Sequence, residues 1–396
     1  MMLSVLVIIG ALVIVVSILS SLLSLYFEIK YWRDRKRISK LINNNDGDHP
    51  WVAVVMPVRG LDQNLRGNIA SILDQEYPGR RNYIFVLDSE DDPAYGVIKD
   101  LIKEFSVNAS VLINRGGRSK GEALAFALGN ITGDVVVFVD SDVFVHRHWL
   151  RNLVMPLING SGAATTYRFY APLKEFSLGV LLRASFNMIG ITAMQNPMAR
   201  FTWGGSTAVW RWILDKWGVR DYLPYYLSDD YVITHFVHKE GLNIDFVPES
   251  LALTLEDINI REAFSWAVRQ LWYVRVYGFR GFLLYAGSYT LYVITLPIAM
   301  ALSIINSWFI VPGLLPFIIG AVKDYVRISS IRSLDPFYGM NITRRYSILL
   351  ALVSILNVYF SWLAIIKTVV TKSINWRGRV FTVFDANRLM MAKPLG

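Results

Sequence analysis

Two aspartates one residue apart, Asp140 and Asp142, follow the apolar run VVVFV at 135–139. Carboxylates placed just past a strand end can reach a divalent cation and the phosphates bound to it. Mg2+ and Mn2+ take oxygen ligands and usually share them with substrate phosphate. Such a cation neutralises charge on a departing nucleoside diphosphate. An isolated D-x-D reads more readily as a solvated turn; its position after the buried-type run VVVFV reverses that and favours the metal. Asp88 ends a second apolar run, NYIFVLD at 82–88, and can accept from a base N–H or a ribose hydroxyl. Within the acidic stretch Asp88-Ser89-Glu90-Asp91-Asp92 it serves equally as a turn cap. Arg118 and Lys120 sit beside Gly116, Gly117 and Gly121 at a helix start, where backbone approach and the helix end favour a phosphate; an ordinary basic loop has the same residues.

Further along, YLSDDY at 226–231 opens a helix. A carboxylate there can take the proton from an attacking hydroxyl, although aspartate at a helix start is usually a cap and the helix dipole lowers its pKa. Trp203-Gly204-Gly205-Ser206 puts an aromatic ring beside two glycines, which suits close approach to a sugar or a strand bulge. Arg269, Gln270, Trp272, Tyr273 and Arg275 cluster on the amphipathic segment 261–277, which also reads as a helix lying in a membrane interface. The apolar stretch 178–194, interrupted by Arg183 and Asn187, is a surface for meeting a lipid acceptor.

The elements that hold these residues alternate. Strand-like runs at 51–56, 82–88, 109–114 and 134–140 are separated by helical segments at 65–73, 93–105 and 119–128, the last with Ser119 as cap and Glu122 three residues on. Strands apolar along their length predict a mainly parallel sheet covered on both faces, an α/β domain. Ligands then bind beyond the carboxyl ends of the strands, where Arg59, Asp88, Asp140 and Asp142 fall. No G-x-G-x-x-G or G-x-x-x-x-G-K-[ST] follows the first strand, which argues against a dinucleotide enzyme and a P-loop ATPase.

Of 396 residues, 54% are hydrophobic and 18% charged, and the formal net charge is +9. The apolar runs sit at the two ends, and several Lys and Arg lie beside them. A bilayer is therefore the expected partner, and nucleic acid is not. There is no cysteine, so thiol nucleophiles, disulfides and Cys-metal sites are excluded. Residues 1–27 carry no charge and predict a spanning helix. A basic linker, 28–46, follows it, with Lys30, Arg33, Arg35, Lys36, Arg37 and Lys40, the reverse of signal-peptide order. Positive charge stays cytoplasmic, which places the N-terminus outside and the domain at 47–283 inside. About three further membrane segments are expected over 284–366, with a hairpin near Asn306, Ser307 and Pro312, and then a basic tail, 367–396. Counting crossings from an outside N-terminus puts that tail outside; Lys367, Lys372, Arg377, Arg379 and Arg388 put it inside, and one later segment that is re-entrant or lies flat in the interface is an alternative to a full set of crossings.

In order, MPVRGLDQNL (56–65), LDSEDDPA (87–94), VDSD (139–142), LSDDY (227–231), RQLWY (269–273) and INWRGRV (374–380) resemble the motifs of the membrane-bound inverting glycosyltransferases of family 2, and most of all those of the ceramide glucosyltransferase type. The resemblance implies a GT-A fold between membrane helices, a UDP-sugar donor, Mg2+ or Mn2+, and a membrane lipid as acceptor. It assigns the metal to Asp140 and Asp142 and the catalytic base to Asp230. It assigns the donor to Pro57, Arg59, Asp88, Arg118, Lys120, Asp140, Gly205, Arg269, Gln270 and Trp272, and the acceptor to Trp203, Asp229 and Tyr273. The chain departs from the type in keeping both metal-motif aspartates. Asp229 stands for a glutamate, Trp272 for the signature arginine and Tyr273 for the signature tryptophan, so the acceptor need not be ceramide, and Arg269 or Arg275 is left to supply the missing charge. A processive polysaccharide synthase is the alternative, with few spans for a polymer channel; a non-catalytic membrane scaffold is another.

Overall fold

The computed structural model describes residues 2–42, 49–117, 119–376 and 379–395. The chain begins with helix α1 (Met2–Ile42). The sheet-bearing part follows: β1 (Val52–Pro57), α2 (Leu65–Leu73), β2 (Arg81–Leu87), α3 (Ala94–Phe105), β3 (Ala109–Ile113), α4 (Lys120–Leu128), β4 (Val135–Val139), α5 (Trp149–Ile158), β5 (Ala163–Thr165), β6 (Arg168–Pro172), α6 (Leu178–Gln195), β7 (Ser206–Trp210), α7 (Arg211–Lys216), α8 (Asp229–Lys239), β8 (Ile244–Phe246) and β9 (Ala252–Glu256). Five helices succeed it: α9 (Ile260–Tyr277), α10 (Phe279–Ser303), α11 (Ile310–Arg332), α12 (Pro336–Asn341) and α13 (Arg344–Val370). The tail holds β10 (Ser373–Trp376), β11 (Arg379–Thr382) and α14 (Val383–Ala392). These divide into two compact units. One contains 1–45, 176–186 and 258–374; the other contains 46–175, 187–257 and 375–396.

In the sheet-bearing unit, seven strands run in the order β3-β2-β1-β4-β7-β5-β8. β3, β2, β1 and β4 are mutually parallel, β7 runs antiparallel to β4 and β5, and β8 is parallel to β5. Alternate strand residues face opposite ways. Val52, Val54, Met56, Tyr83, Phe85, Val135 and Val137 pack with Ile69 and Ile72 of α2, Ile98 and Leu101 of α3, and Leu150 and Leu153 of α5. The alternate set, Ala53, Val55, Ile84, Val136 and Phe138, is equally buried, and α4 covers it over β1 and β2. This is a mixed, mainly parallel sheet with helices on both faces. The chain proceeds outward from β1 to β2 and β3, then returns to place β4 on the other side of β1. That reversal opens a crevice beyond the carboxyl ends of β1 and β4. Because β7 is antiparallel to β4, its first residue, Ser206, pairs with Val139, the last of β4. The loop before β7 is thereby brought to the same edge.

Among the described residues, the helical unit contains four helices long and apolar enough to cross a membrane, spanning Ser4–Lys36, Phe279–Ser303, Ser307–Arg332 and Arg344–Val370. The protein is a membrane protein. α1 and α10 run antiparallel: Gly10 faces Ile298 and Leu302, Ser17 Oγ lies 2.7 Å from Thr295 Oγ1, and Ser21 Oγ donates to Tyr292 Oη at 3.2 Å. Small residues let these backbones approach, and paired hydroxyls satisfy each other away from water. The hairpin between α10 and α11 turns at Asn306, whose Oδ1 accepts from Trp308 N at 3.1 Å. Near the other end of α1, Glu28 accepts from Arg327 Nε of α11 at 2.8 Å and from Trp32 Nε1 at 2.7 Å, a buried pair sealed from solvent. α9 begins with a reciprocal cap in which Asn259 Oδ1 accepts from Glu262 N at 3.0 Å and Glu262 Oε2 accepts from Asn259 N at 2.8 Å.

Candidate active site

Asp140 is the first residue past β4, and its N–H donates to Gly205 O at 3.2 Å, extending the β4–β7 ladder by one step. The loop behind it is pinned on both sides. Ser141 Oγ donates to Asp62 Oδ2 at 2.6 Å, Asn68 Nδ2 donates to Ser141 O at 3.0 Å, and Thr254 Oγ1 donates to Asp142 O at 2.9 Å. Asp140 and Asp142 are thus held with their carboxylates on the crevice side.

A network of six side chains gathers there. Lys120 Nζ lies 2.8 Å from Asp140 Oδ1 and 3.0 Å from Asp229 Oδ2, so it bridges the end of β4 to the start of α8. Arg168, the first residue of β6, donates from Nη2 to Asp140 Oδ2 at 2.9 Å and to Asp142 Oδ1 at 2.8 Å, and from Nη1 to Asp142 Oδ2 at 2.9 Å. Its Nη1 also donates to Tyr170 Oη at 3.1 Å, its guanidinium lies 5.0 Å from the Trp203 ring, and Asn187 Nδ2 donates to its carbonyl at 2.8 Å. Asp230 completes the group, accepting at Oδ1 from the N–H of Gly204. Four carboxyl groups, Asp140, Asp142, Asp229 and Asp230, thus face the two cationic side chains Lys120 and Arg168. Asp140 and Asp142 already converge on one cationic nitrogen, Arg168 Nη2, and offer oxygen atoms only, a donor set that suits Mg2+ or Mn2+.

α8 is positioned by Ser228, whose Oγ accepts from Tyr231 N at 3.3 Å, so Asp229 and Asp230 occupy the first turn. Thr202 Oγ1 donates to the Asp230 carbonyl at 3.1 Å. The glycine preceding Gly205 is required at this approach: a Cβ on Gly204 would stand 1.9 Å from Asp229 Oδ2 and 2.8 Å from Asp230 Oδ1. Burial pushes the Asp230 carboxyl up to about 8, and the charge of Asp229 adds to it, while Lys120 and the Gly204 N–H pull the other way. For Lys120 burial disfavours the charge, yet Asp140, Asp229 and Asp230 outweigh it and hold its pKa above the ordinary lysine value. Arg168 is likewise held above its ordinary value, with Asp142, Tyr170 and Asp140 overcoming its burial. The site thus contains fixed positive charges and one carboxyl whose proton affinity lies in the range of a general base.

Of the residues expected from sequence, Lys120, Asp140, Asp142, Asp229 and Asp230 are brought together, with Trp203 and Gly205 beside them. Trp203 N donates to Thr165 Oγ1 at 2.9 Å. Pro57 ends β1. Arg59 pairs with Asp88 at 3.8 Å beyond β1 and β2, and Asp88 stands close to Gly117, 3.0 Å from the position of a Cβ there. Arg118 lies outside the described residues. Arg269, Gln270, Trp272 and Tyr273 lie on α9 in the helical unit, with the Trp272 ring fully buried. The expectation that the helix dipole lowers the pKa of the α8 carboxylate is overturned for Asp230: burial and Asp229 outweigh the dipole. Arg168 was not expected at all. The run Tyr167-Arg168-Phe169-Tyr170 signals only a strand, and nothing local says that its arginine faces Asp140 and Asp142.

The family model described as Glycosyl transferase family 21 matches residues 11–389. A ceramide glucosyltransferase of Gibberella zeae is 26% identical over 176 residues, covering 40% of this chain and 33% of the relative. The glycosyltransferase AglE of Haloferax volcanii is 25% identical over 116 residues, covering 28% of this chain and 37% of the relative. The chain thus spans about a third of the length of these curated relatives. A solved mannosyltransferase of Pyrobaculum calidifontis, in complex with GDP-Man and Mn2+, is similar with a TM-score of 0.47 and 17% identity, covering 89% of this chain and 99% of that one.

Proposed function

This chain belongs to glycosyl transferase family 21, and from that premise we propose that it moves a sugar from a UDP-sugar to the hydroxyl of a membrane lipid, with inversion at the anomeric carbon. The observation that carries the reading is Asp230, a carboxyl raised to about 8, held by a backbone N–H and joined through Asp229 and Lys120 to the Asp140–Asp142 pair. Asp230 takes the proton of the acceptor hydroxyl. The freed oxygen attacks the anomeric carbon from the face opposite the diphosphate, and the bond from that carbon to the phosphate oxygen breaks, its electron pair leaving with the diphosphate. Asp140 and Asp142 would hold Mg2+ or Mn2+, which when bound offsets charge on the leaving diphosphate. Lys120 pairs with Asp140 and Asp229, and Asp230 is the carboxyl that accepts the proton. Arg59, Asp88 and Arg118 serve the nucleotide, and Trp203 with Gly205 borders the sugar. A lipid acceptor is supported by the ceramide glucosyltransferase relatives; the departures at Asp229, Trp272 and Tyr273 leave its class as a lipid hydroxyl rather than ceramide.

We place the sheet-bearing unit on the cytoplasmic face, because Lys30, Arg33, Arg35, Lys36, Arg37 and Lys40 follow the first apolar run. The test is to offer membranes containing the protein a panel of labelled nucleotide sugars with Mn2+. Label is expected in a single glycolipid. Label only in a high-mass polymer supports a processive synthase instead. Absence of label with every sugar, together with unaltered function in Asp142→Asn and Asp230→Asn variants, supports a scaffold.

A further inference from the structure

Four helices are long enough to cross the membrane, yet four crossings conflict with the contacts within the helical unit. The sides of that unit can be read from α1, which leads into the sheet-bearing part at its carboxyl end. Gly10, near the start of α1, packs on Ile298 and Leu302 at the far end of α10, so the hairpin near Asn306 lies at the face where α1 begins. Glu28, near the opposite end, pairs with Arg327 in the last turns of α11. α11 therefore returns to the face from which α10 set out, the face where α1 hands over to the sheet-bearing part.

Both ends of α13 belong to that same face. Its start follows α11 through the short α12. There the Tyr346 ring stacks on Phe176 with centroids 5.8 Å apart, and Arg345 lies 5.5 Å over the same ring; Phe176 is four residues past the end of β6. Its last turn is bound by Arg275, whose Nη1 donates to Thr368 O at 2.6 Å and to Val369 O at 3.0 Å. Arg275 stands in the last turn of α9, and only Gly278 separates α9 from the start of α10. Between these ends Phe360 meets Phe264 of α9 at 5.6 Å. A helix of 27 residues is about 40 Å long at about 1.5 Å per residue, more than the about 30 Å of the hydrocarbon layer. Had it crossed, its two ends would lie on opposite faces.

We infer that α13 does not cross the membrane. It lies in the interfacial layer of the leaflet from which α10 sets out and to which α11 returns, with α9 along its second half and the stripe Ile348, Leu352, Leu356 and Leu363 turned to the acyl chains. Three independent features agree with this. Half of the most apolar stretch of α13 is buried against protein, against 22% in each of the other three helices, as suits a helix packed on its protein side throughout. Arg344 and Arg345 at its start and Lys367 at its end are basic at both termini, where a crossing helix would be biased to one. The tail beyond it belongs to the sheet-bearing unit, in which Tyr226 Oη donates to Lys393 O at 2.9 Å. With α10 and α11 as the two crossings between domain and tail, the tail returns to the domain's side. The crossing count and the basic tail, contradictory with four spans, agree with three.

The absence of cysteine makes the test direct. Single variants Ser307→Cys in the hairpin tip, Met340→Cys between α11 and α13, and Met391→Cys in α14 are placed in sealed vesicles of known orientation and treated with a membrane-impermeant maleimide. Ser307→Cys is expected to label from one face, and Met340→Cys and Met391→Cys only from the other, each labelling after detergent. Met391→Cys labelling from the Ser307→Cys face would overturn the inference. A spin label on Leu356→Cys measures depth independently of the tail: a position about 5–10 Å below the headgroups is expected, and one at the bilayer centre would overturn the in-plane placement.

Discussion

Asp230 is the residue on which most of the chemistry turns. Its neutral form is favoured in the folded protein, so as a base it works only once deprotonated. Turnover is expected to rise with pH through neutrality and level off above about 8. The same shift has a stability consequence. A folded-state pKa raised from the ordinary 3.8 means the folded protein binds more protons, so stability falls as pH rises from about 4 to about 8. The Asp230→Asn variant is expected to lose transfer by about 10²–10⁴-fold, to keep donor binding, and to lose that decline in thermal midpoint between about pH 4 and about pH 8. Wild-type turnover in this variant would remove Asp230 from the role. Arg168 makes a second prediction at this scale. Its side chain is 11% exposed and pairs with both metal-motif aspartates. Arg168→Gln leaves two carboxylates facing each other without their guanidinium, which costs about 1–3 kcal/mol. Added Mn2+ is expected to raise the thermal midpoint more in that variant than in the wild type, since it supplies the missing positive charge.

At the scale of elements, the site depends on how closely the turn before β7 approaches the start of α8. Gly204 makes that approach possible. Gly204→Ala is expected to abolish transfer by driving the first turn of α8 away, since the new methyl would overlap Asp229 Oδ2 at 1.9 Å. The sheet beneath, closed by β4 and β7, remains folded. Circular dichroism unchanged alongside lost activity is the expected pair of results; normal activity would show that α8 tolerates the shift. The elements themselves were legible from sequence. Each of the first four strands is a run of β-branched and apolar residues, and Ser119 with Glu122 announced α4, whose cap the structure contains, Glu122 N donating to Ser119 Oγ at 3.1 Å. The pairing of β7 with β4 was not legible. STAVW at 206–210 carries no mark of its neighbour, and strand pairing between residues 65 or more positions apart is set by the packing of the whole sheet.

For the whole molecule, the Glu28–Arg327 pair ties α1 to α11 across 299 positions of the chain. Both side chains are 2% exposed, and removing one takes from the other its main counter-charge, Arg327 then keeping Asp324 at 3.7 Å. Glu28→Gln or Arg327→Met alone is expected to cost about 3–5 kcal/mol, read as loss of folded protein in mild detergent. The double variant Glu28→Leu with Arg327→Met is expected to recover much of it, because burying neither charge avoids the desolvation cost. If the double variant is as unstable as either single one, the helices need the pair for register rather than for charge balance.

The amino-acid sequence by itself determined the membrane character, the alternation of strand and helix, and the positions of Asp140, Asp142 and Asp230, because hydropathy, periodicity and local capping are written in adjacent residues. Arg168, the bridge by Lys120, the raised pKa of Asp230 and the course of α13 were decided only by tertiary structure. Each depends on a partner far away in the chain: Asp142 for Arg168, Asp229 for Lys120, the enclosure that removes water from Asp230, and Arg275 for the end of α13. Burial and ion pairing are properties of the packed whole. Apolar length, the one signal that α13 shares with a crossing helix, says how long a helix is and not which way it lies.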